Sequence, residues 1–113
     1  MFLDELSRIL DEHESYLKNE QDGKQIKFNG KELKRIDFRN TQLSKAEFVK
    51  CNLSGSTFKN ADLTDVKFSY SNLECCDFTN AKLTGADLTG ANLKDAIISQ
   101  EAIRQCYNVF FVS

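Results

Sequence analysis

Large apolar residues recur every five positions over most of this 113-residue chain. Helices show apolar spacings of three and four, and half-buried strands show a spacing of two, whereas here the spacing alternates between two and three. A second series lies two residues earlier and contains only small or β-branched side chains from Thr41 onward. The main series has fifteen members: Phe28, Leu33, Phe38, Leu43, Phe48, Leu53, Phe58, Leu63, Phe68, Leu73, Phe78, Leu83, Leu88, Leu93 and Ile98.

A chain that points two residues inward in every five can bury them all only by coiling around an axis. The position two residues after each large apolar residue favours tight turns, because nine of the fifteen are Gly, Asn or Asp. The Asn29-Gly30 pair is compatible with a hairpin turn, but Gly30 has the phase of the later turns, which favours a corner of the coil. These nine positions are Gly30, Asn40, Gly55, Asn60, Asp65, Asn80, Gly85, Gly90 and Asp95.

The repeated unit is a small residue, Asp or Asn, Leu or Phe, Thr or Ser, and then Gly or Asn, as in ADLTG at 86–90 and ANLKD at 91–95. Over residues 26–100 it resembles the pentapeptide repeat family. The resemblance implies that family's fold: an all-β solenoid, built as a right-handed quadrilateral β-helix with four pentapeptides per coil. Lys31 and Ile36 fill places that are normally small, and they predict a widened or irregular first coil.

Side chains that recur at twenty-residue intervals independently predict four pentapeptides per coil, and hence about four coils. Stacked amides can form ladders at strand spacing, and two such columns occur: Asn40, Asn60, Asn80 and Gln100, and Asn52, Asn72 and Asn92. The same interval stacks phenylalanines on two opposite walls: Phe28, Phe48 and Phe68, and Phe38, Phe58 and Phe78.

Short α-helical caps are predicted at both ends of the solenoid, because an open end exposes unpaired backbone. Apolar residues at helical spacing, with acids between them, predict an amphipathic helix over residues 2–18, and Ser99 is placed to cap a short helix through about Cys106. The predicted organisation is an N-terminal amphipathic capping helix (1–20), a linker (21–25), the pentapeptide-repeat β-helix (26–100), and a C-terminal cap helix with an apolar tail (101–113). The apolar positions of the first helix are Phe2, Leu6, Ile9, Leu10, His13 and Leu17.

Composition indicates one small cytoplasmic domain that does not enter a membrane. The first twenty residues lack the basic and apolar regions of a signal peptide, and no run of eighteen apolar residues occurs. The four cysteines form no CxxC pair and Cys75 is followed directly by Cys76, so we expect reduced, mostly structural thiols rather than a zinc site or a disulfide framework.

The sequence predicts no catalytic residue, no cofactor and no metal site. The single histidine, His13, lies on the apolar face of the predicted helix, where a hydrogen-bonded packing role is favoured over acid-base chemistry. The GADLTG stretch lacks the Lys and Ser or Thr of a phosphate-binding loop, and its glycines already serve as turns. We therefore expect that the protein is not an enzyme.

Charge patterning weakens two nucleic-acid interpretations. One branch of the family mimics duplex DNA and engages DNA gyrase, which needs continuous acidic columns, whereas the columns here are mixed. Eight basic residues lie in residues 24–50, but an acidic helix is expected beside them, so a solvated and partly paired surface is favoured over nucleic-acid binding. The mixed columns are Lys27, Glu47, Lys67 and Asp87, and Gln42, Asp62 and Lys82; the basic residues are Lys24, Lys27, Lys31, Lys34, Arg35, Arg39, Lys45 and Lys50.

The apolar C-terminal tail provides the main candidate interaction residues: Tyr107, Val109, Phe110, Phe111 and Val112. The tail either folds back over the last coil or forms a homodimer interface, and family members often dimerise through C-terminal elements. A smaller candidate patch joins Val49 to Tyr70 across neighbouring coils. Leu88 and Ile98 end the two Phe stacks, and this predicts room for Phe110 or Phe111 in the last layer.

The predicted function is therefore a non-catalytic, rigid scaffold for association with an unidentified protein partner. The alternative is a DNA-mimicking regulator or protector of DNA gyrase or another topoisomerase.

Overall fold

The computed structural model describes residues 3–107, which form a four-sided parallel coil with a helix at each end. The elements are α1 (Leu3–Leu17), β1 (Lys27–Asn29), β2 (Glu47–Val49) and α2 (Gln100–Gln105). β1 and β2 pair in parallel, and ten further isolated parallel bridges all join residues twenty apart. The chain thus returns to the same wall after every twenty residues, at four successive levels.

The corners of the coil explain why its strands are so short. Every fifth residue from Gly30 to Asp95 has a positive φ, between 55° and 74°. A left-handed residue turns the chain at each of these places, so a wall has room for little more than one bridge. The predicted turn positions are confirmed, and Gly30, at φ 72°, is a corner of the coil rather than part of a hairpin.

The interior is filled by the two inward series, with phenylalanines stacked as predicted from the twenty-residue interval. Rings of Phe38, Phe58 and Phe78 lie parallel, with centroids 4.9 and 5.3 Å apart. Phe48 and Phe68 stack at 5.7 Å, but Phe28 meets Phe48 edge-on at 62°. Burying each ring contributes on the order of 1.5–3 kcal/mol.

The amide columns follow the sequence prediction only in part. Asn92 Nδ2 donates to Asn72 Oδ1 at 3.4 Å, whereas Asn52 turns to the carboxylate of Glu32, at 3.3 Å. The other predicted ladder is wrong. Its asparagines, Asn40, Asn60 and Asn80, are exposed corner residues with positive φ. They make no amide–amide hydrogen bond to one another, because their side chains leave the coil at the turn.

The first coil is regular, which contradicts the expectation drawn from Lys31 and Ile36. Parallel bridges at Glu32 and Asp37 keep the twenty-residue register. Lys31 is exposed rather than inward, and Ile36 is only half-buried. Both large residues fit because this coil is the end layer of the stack.

Helix α1 includes every described residue from Leu3 to Leu17 and ends one residue before the predicted bound. Its residue Leu6 is buried and joins the core cluster, and Ile9 and Leu10 pack against that cluster. The helix therefore covers core residues that the coil alone would leave exposed.

Helix α2 begins where predicted, with the Ser99 hydroxyl accepting from the Ala102 N–H at 3.0 Å. It ends at Gln105, and the buried Ala102 packs on the core. None of the helices between residues 3 and 107 is long and apolar enough to cross a bilayer.

After α2 the chain resumes the repeat in phase. The Tyr107 N–H donates to the Ala86 carbonyl at 2.7 Å, just as the Asp87 N–H donates to the Val66 carbonyl one level earlier. Cys106 therefore falls in the inward column of small residues that includes Val66 and Ala86. Helix α2 takes the place of one pentapeptide wall.

Candidate interaction surface

His13 holds α1 on the coil through two hydrogen bonds. The Ile26 N–H donates to Nδ1 at 2.9 Å, and Nε2 lies 2.8 Å from the Ser44 carbonyl oxygen. Because Nδ1 must accept, the ring is neutral and Nε2 donates to Ser44. Burial lowers the pKa of His13, partly offset by the bond to Ser44. The predicted packing role is confirmed, and both ring nitrogens are occupied by backbone groups.

Three of the four free thiols are shielded, but Cys75 is exposed. Cys76 is buried and donates to the Leu53 carbonyl at 3.0 Å, and burial raises its pKa to about 12. Burial likewise raises the pKa of Cys106 to about 11 and that of Cys51 above its ordinary value. Mostly structural thiols were expected, and the exception is Cys75, a corner residue with φ 61°.

The Cys75 sulfur lies beside two carboxylates in one corner column. Its Sγ and the carboxylate oxygens of Glu74 and Asp95 lie within 4.8 Å of one another. Cys75 and Asp95 are exposed, unlike the enclosed ligands of structural metal sites, and we assign no metal to this group. Only the twenty-residue interval between Cys75 and Asp95 could have indicated their proximity from the sequence.

The outward columns of charge mix both signs, as predicted. Parallel bridges join Lys27 to Glu47, Glu47 to Lys67 and Lys67 to Asp87. The other predicted column is also present, with bridges from Gln42 to Asp62 and from Asp62 to Lys82.

Two of the eight basic residues in 24–50 form ion pairs, Arg39 with Asp37 at 2.9 Å and Lys24 with Glu12 at 3.8 Å. The hydrogen bond from Arg39 lowers the pKa of the Asp37 carboxyl. The remaining basic residues are spread over different corners of the coil, Arg35, Lys45 and Lys50 among them. Over the residues described, this distribution gives no continuous track of one sign.

The candidate interaction residues are only partly covered by the structure. Tyr70 and Tyr107 are 61% and 70% exposed, and Val49 is half-buried. The tail residues lie outside the described part of the chain, so their role as a cap or an interface stays a prediction, as does the insertion of a ring beside the fully buried Leu88. These tail residues are Val109, Phe110, Phe111 and Val112.

Tyr70 combines exposure with an unusual backbone. Its φ is 59°, and its ring lies against Gly90, one coil further along the same corner. A Cβ added to Gly90 would lie 2.4 Å from Cδ1 of the ring. Sequence reasoning singled out Tyr70 but missed Gly90, which the twenty-residue interval could have identified.

Two surface clefts are polar or shallow rather than enclosed. One of about 330 Å³ separates α1 from the corner at Asn40 and includes Asp11 and Glu14. Another of about 360 Å³ lies where the fourth coil gives way to α2, beside Ile97 and Ile98. In the first cleft no hydrogen bond joins the hydroxyl of Ser7 to the carboxylate of Asp11 or Glu14, and the second contains no titratable side chain.

A family model described as "Pentapeptide repeat region" matches residues 22–106. A pentapeptide repeat protein from the thylakoid lumen of Arabidopsis thaliana has 29% identity and a TM-score of 0.52, with 64% of this chain and 57% of that chain covered. The chain therefore spans just over half the length of that protein. No curated protein sequence matches it.

Two further solved structures have TM-scores below 0.5. A pentapeptide repeat protein from Nostoc PCC 7120 has 25% identity and a TM-score of 0.41, with 76% of this chain and 71% of that chain covered. A trypsin-treated QnrB1 variant, a plasmid-mediated fluoroquinolone resistance protein, has 20% identity and a TM-score of 0.38, with 64% of this chain and 47% of that chain covered.

Proposed function

Since this chain belongs to the pentapeptide repeat family, we propose that it is a non-catalytic, rigid scaffold for protein association. We take its four coils to form the right-handed quadrilateral β-helix that the family resemblance implies. We place the protein in the cytoplasm, where its four free thiols would stay reduced.

The continuous backbone ladder is the observation that supports a scaffold. Backbone hydrogen bonds join each level to the next on all four walls, for example from Leu53 to Asn72 at 2.9 Å and from Phe58 to Asp77 at 2.8 Å. The inward side chains are fixed by packing, whereas the outward ones stand in columns at strand spacing, about 4.8 Å apart. Such a surface holds its backbone in place before binding, so a partner need not order the main chain and only the exposed side chains lose conformational entropy.

Affinity capture tests the scaffold function. The immobilised full chain is incubated with lysate of its native host, and bound proteins are identified by mass spectrometry. We expect at least one reproducible protein whose capture is abolished by excess free chain. Capture that is absent, or that free chain does not compete away, would contradict the scaffold function.

The C-terminal tail is the proposed site of self-association. Tyr107 is 70% exposed, and Leu93 and Ile98 of the last coil are only half-buried. Truncation after Cys106 should convert a dimer to a monomer by light scattering while the circular dichroism spectrum stays native. If the truncated chain unfolds instead, the tail is a cap of its own coil.

Gyrase regulation by DNA mimicry remains the competing hypothesis. The alternating column Lys27, Glu47, Lys67 and Asp87 counts against it, because a DNA mimic needs continuous negative charge. Inhibition or protection of gyrase supercoiling at stoichiometric protein would favour mimicry. An unchanged supercoiling rate would remove it.

A further inference from the structure

Tyr70 occupies a position that disfavours its side chain. Left-handed φ values are a genuine outlier for bulky residues, and Tyr70 has φ 59°. The other described corners of its column carry Gly30, Lys50 and Gly90, so it is the sole aromatic residue there. The coil imposes a positive φ at all fourteen corners, so the strain alone marks no site; what distinguishes Tyr70 is a bulky aromatic ring at such a corner.

The coil accommodates the Tyr70 ring at the next corner. Cδ1 and Cε1 would lie 2.4 and 2.7 Å from a Cβ on Gly90, so the ring occupies the space that any side chain at residue 90 would need. The matching corner at Gly30 has no atom within 4 Å of such a Cβ. Gly90 thus positions a ring that remains 61% exposed.

Lysines continue the same corner toward the N-terminus. Lys50 lies one level from Tyr70, and Lys31 lies one level further, beside Gly30. Both are exposed, and neither forms an ion pair with a described residue. Successive levels are about 4.8 Å apart, so along the coil axis the backbone of Lys50 lies roughly 5 Å and that of Lys31 roughly 10 Å from the backbone of Tyr70.

The three acidic residues nearest this corner lie on the two walls that meet there, and their charges offset part of the lysine charge. Asp87 accepts from the Thr89 N–H at 2.9 Å and from its hydroxyl at 2.6 Å. Glu32 accepts from Asn52 at 3.3 Å. Glu47 lies between Lys27 and Lys67 in its column. The donors to Asp87 and Glu32 are uncharged, so both carboxylates keep their negative charge. The column Lys27, Glu47, Lys67 and Asp87 sums to zero, and Lys31 and Lys50 against Glu32 leave the corner with one net positive charge.

We propose that the corner formed by Lys31, Val49, Lys50 and Tyr70 is a docking surface for an acidic segment of a partner protein that carries one apolar anchor. This assignment rests on the scaffold function proposed above and supplies its contact site. The anchor packs on the Tyr70 ring and on the half-buried Val49, and the carboxylates of the segment face Lys50 and Lys31. Exposed tyrosines held in place by packing are characteristic of binding hot spots.

A protein segment fits this corner better than a single-stranded nucleic acid. Nucleic-acid grooves stack successive bases on several aromatic side chains along a continuous basic track. Here one aromatic ring stands alone, and Glu47 and Asp87 interrupt the lysines of the adjoining wall.

A phage-displayed library of short random peptides, panned on the immobilised full chain, tests the assignment. We expect enrichment of acidic peptides with one aromatic or leucine residue, bound more weakly as salt is raised. For a synthetic copy of the most enriched peptide, Tyr70→Ala should weaken binding by about tenfold or more, as hot-spot truncations do. Lys50→Glu should act in the same direction, whereas Lys82→Glu changes an exposed lysine on a different wall of the coil and should have no effect.

Two glycine variants separate the ring's position from backbone strain. Gly90→Ala and Gly30→Ala both place a Cβ at a positive φ in the same corner column, but only Gly90→Ala displaces the Tyr70 ring. We expect peptide binding to fall in Gly90→Ala and to persist in Gly30→Ala. Tyr70→Asn provides a folded variant without the ring, since asparagine occupies three other left-handed corners.

Several outcomes would overturn the docking surface: no enrichment, enrichment of basic or neutral peptides, or binding that survives both Tyr70→Ala and Tyr70→Asn. Tyr70-dependent binding of a fluorescent oligothymidine would assign the corner to nucleic acid instead. Lysate capture distinguishes the two proposals. Specific capture that Tyr70→Asn leaves intact keeps the scaffold function and rejects this corner, whereas loss of capture in Tyr70→Asn but not in Lys82→Asn supports both.

Discussion

Five of the fourteen left-handed corner residues have side chains other than Gly, Asn or Asp. Each L-residue with an ordinary side chain costs roughly 1–2 kcal/mol in this backbone region, and Asn and Asp are better tolerated there because they can bond locally. The chain therefore carries strain at several separate positions, which packing elsewhere offsets. These five residues are Arg35, Lys45, Lys50, Tyr70 and Cys75.

We expect Lys45→Asn to stabilise the protein. Lys45 has φ 66°, and its side chain makes no hydrogen bond or ion pair to a described residue. Relief of the left-handed strain should raise the free energy of unfolding by about 0.5–1 kcal/mol, measured by urea denaturation. Lys82→Asn is the matched control, because Lys82 has no positive φ and should show no gain. Equal effects at both sites would show that charge, not strain, is responsible.

The thiols should differ sharply in reactivity. At pH 8 the Cys75 thiol is expected to react with a disulfide reagent in a fast phase that is complete by the end of mixing, because it alone is exposed. The pKa of Cys76, about 12, and that of Cys106, about 11, leave little thiolate, so their reaction should require unfolding. Cys75→Ser should abolish the fast phase. A fast phase of more than one thiol in the native protein would contradict this assignment.

At the scale of the elements, α1 depends on one neutral imidazole. Burial lowers the pKa of His13 below the ordinary histidine value of 6.5, so the unfolded chain takes up the proton first as the pH falls. The contribution of His13 to stability is therefore complete above about pH 6.5 and is lost as the pH falls toward the folded pKa.

We therefore expect the free energy of unfolding to fall between pH 7 and pH 5.5, by up to about 1.4 kcal/mol per pH unit. Urea denaturation followed by circular dichroism across this range measures the effect. His13→Ala should be less stable at pH 7.5 and should lose the pH dependence in this range. A wild-type protein with constant stability down to pH 5.5 would contradict the role of His13.

The helices and the corners could be predicted from the sequence, because each depends on a local pattern of residues. Ser99 caps α2 as predicted, and the glycine corners have the expected phase. The hydrogen-bond partners of His13 could not be predicted, since Ser44 lies 31 residues away and accepts only through its backbone carbonyl. The ladder expected at Asn40, Asn60 and Asn80 failed because spacing places side chains in one column without setting their direction.

At the scale of the whole molecule, each level is held by its neighbours alone, as in other solenoids. Counting one level for every twenty residues from residue 26, the second and third levels have a hydrogen-bonded level on both sides. The first and fourth levels each face an end of the coil. The outward positions that would carry binding are not constrained by this repeat. For that reason the sequence predicted the coil in detail and left the partner open.

Native-state hydrogen exchange should be slower in the two inner levels of the coil than in the two end levels. The amides of Leu53, Phe58 and Leu73, all bonded to the following level, should exchange most slowly. Those of Leu33 and Ile97 should exchange faster, because their levels open from an end. NMR exchange rates on the 113-residue chain give the comparison. Uniform rates would instead show that the four levels open as one cooperative unit.

Helix α2 shows that a wall need not be a pentapeptide. The chain leaves the coil after Ser99, forms a helix from Gln100 to Gln105, and pairs again at Tyr107 with the phase of the repeat intact. This wall thus keeps its ends in register with a helix between them, as long as a small side chain such as Ala102 still packs on the core. For protein engineering, this segment is a natural exchange point, where a foreign loop or helix that bridges the same two corners could be grafted without altering the coil beneath it.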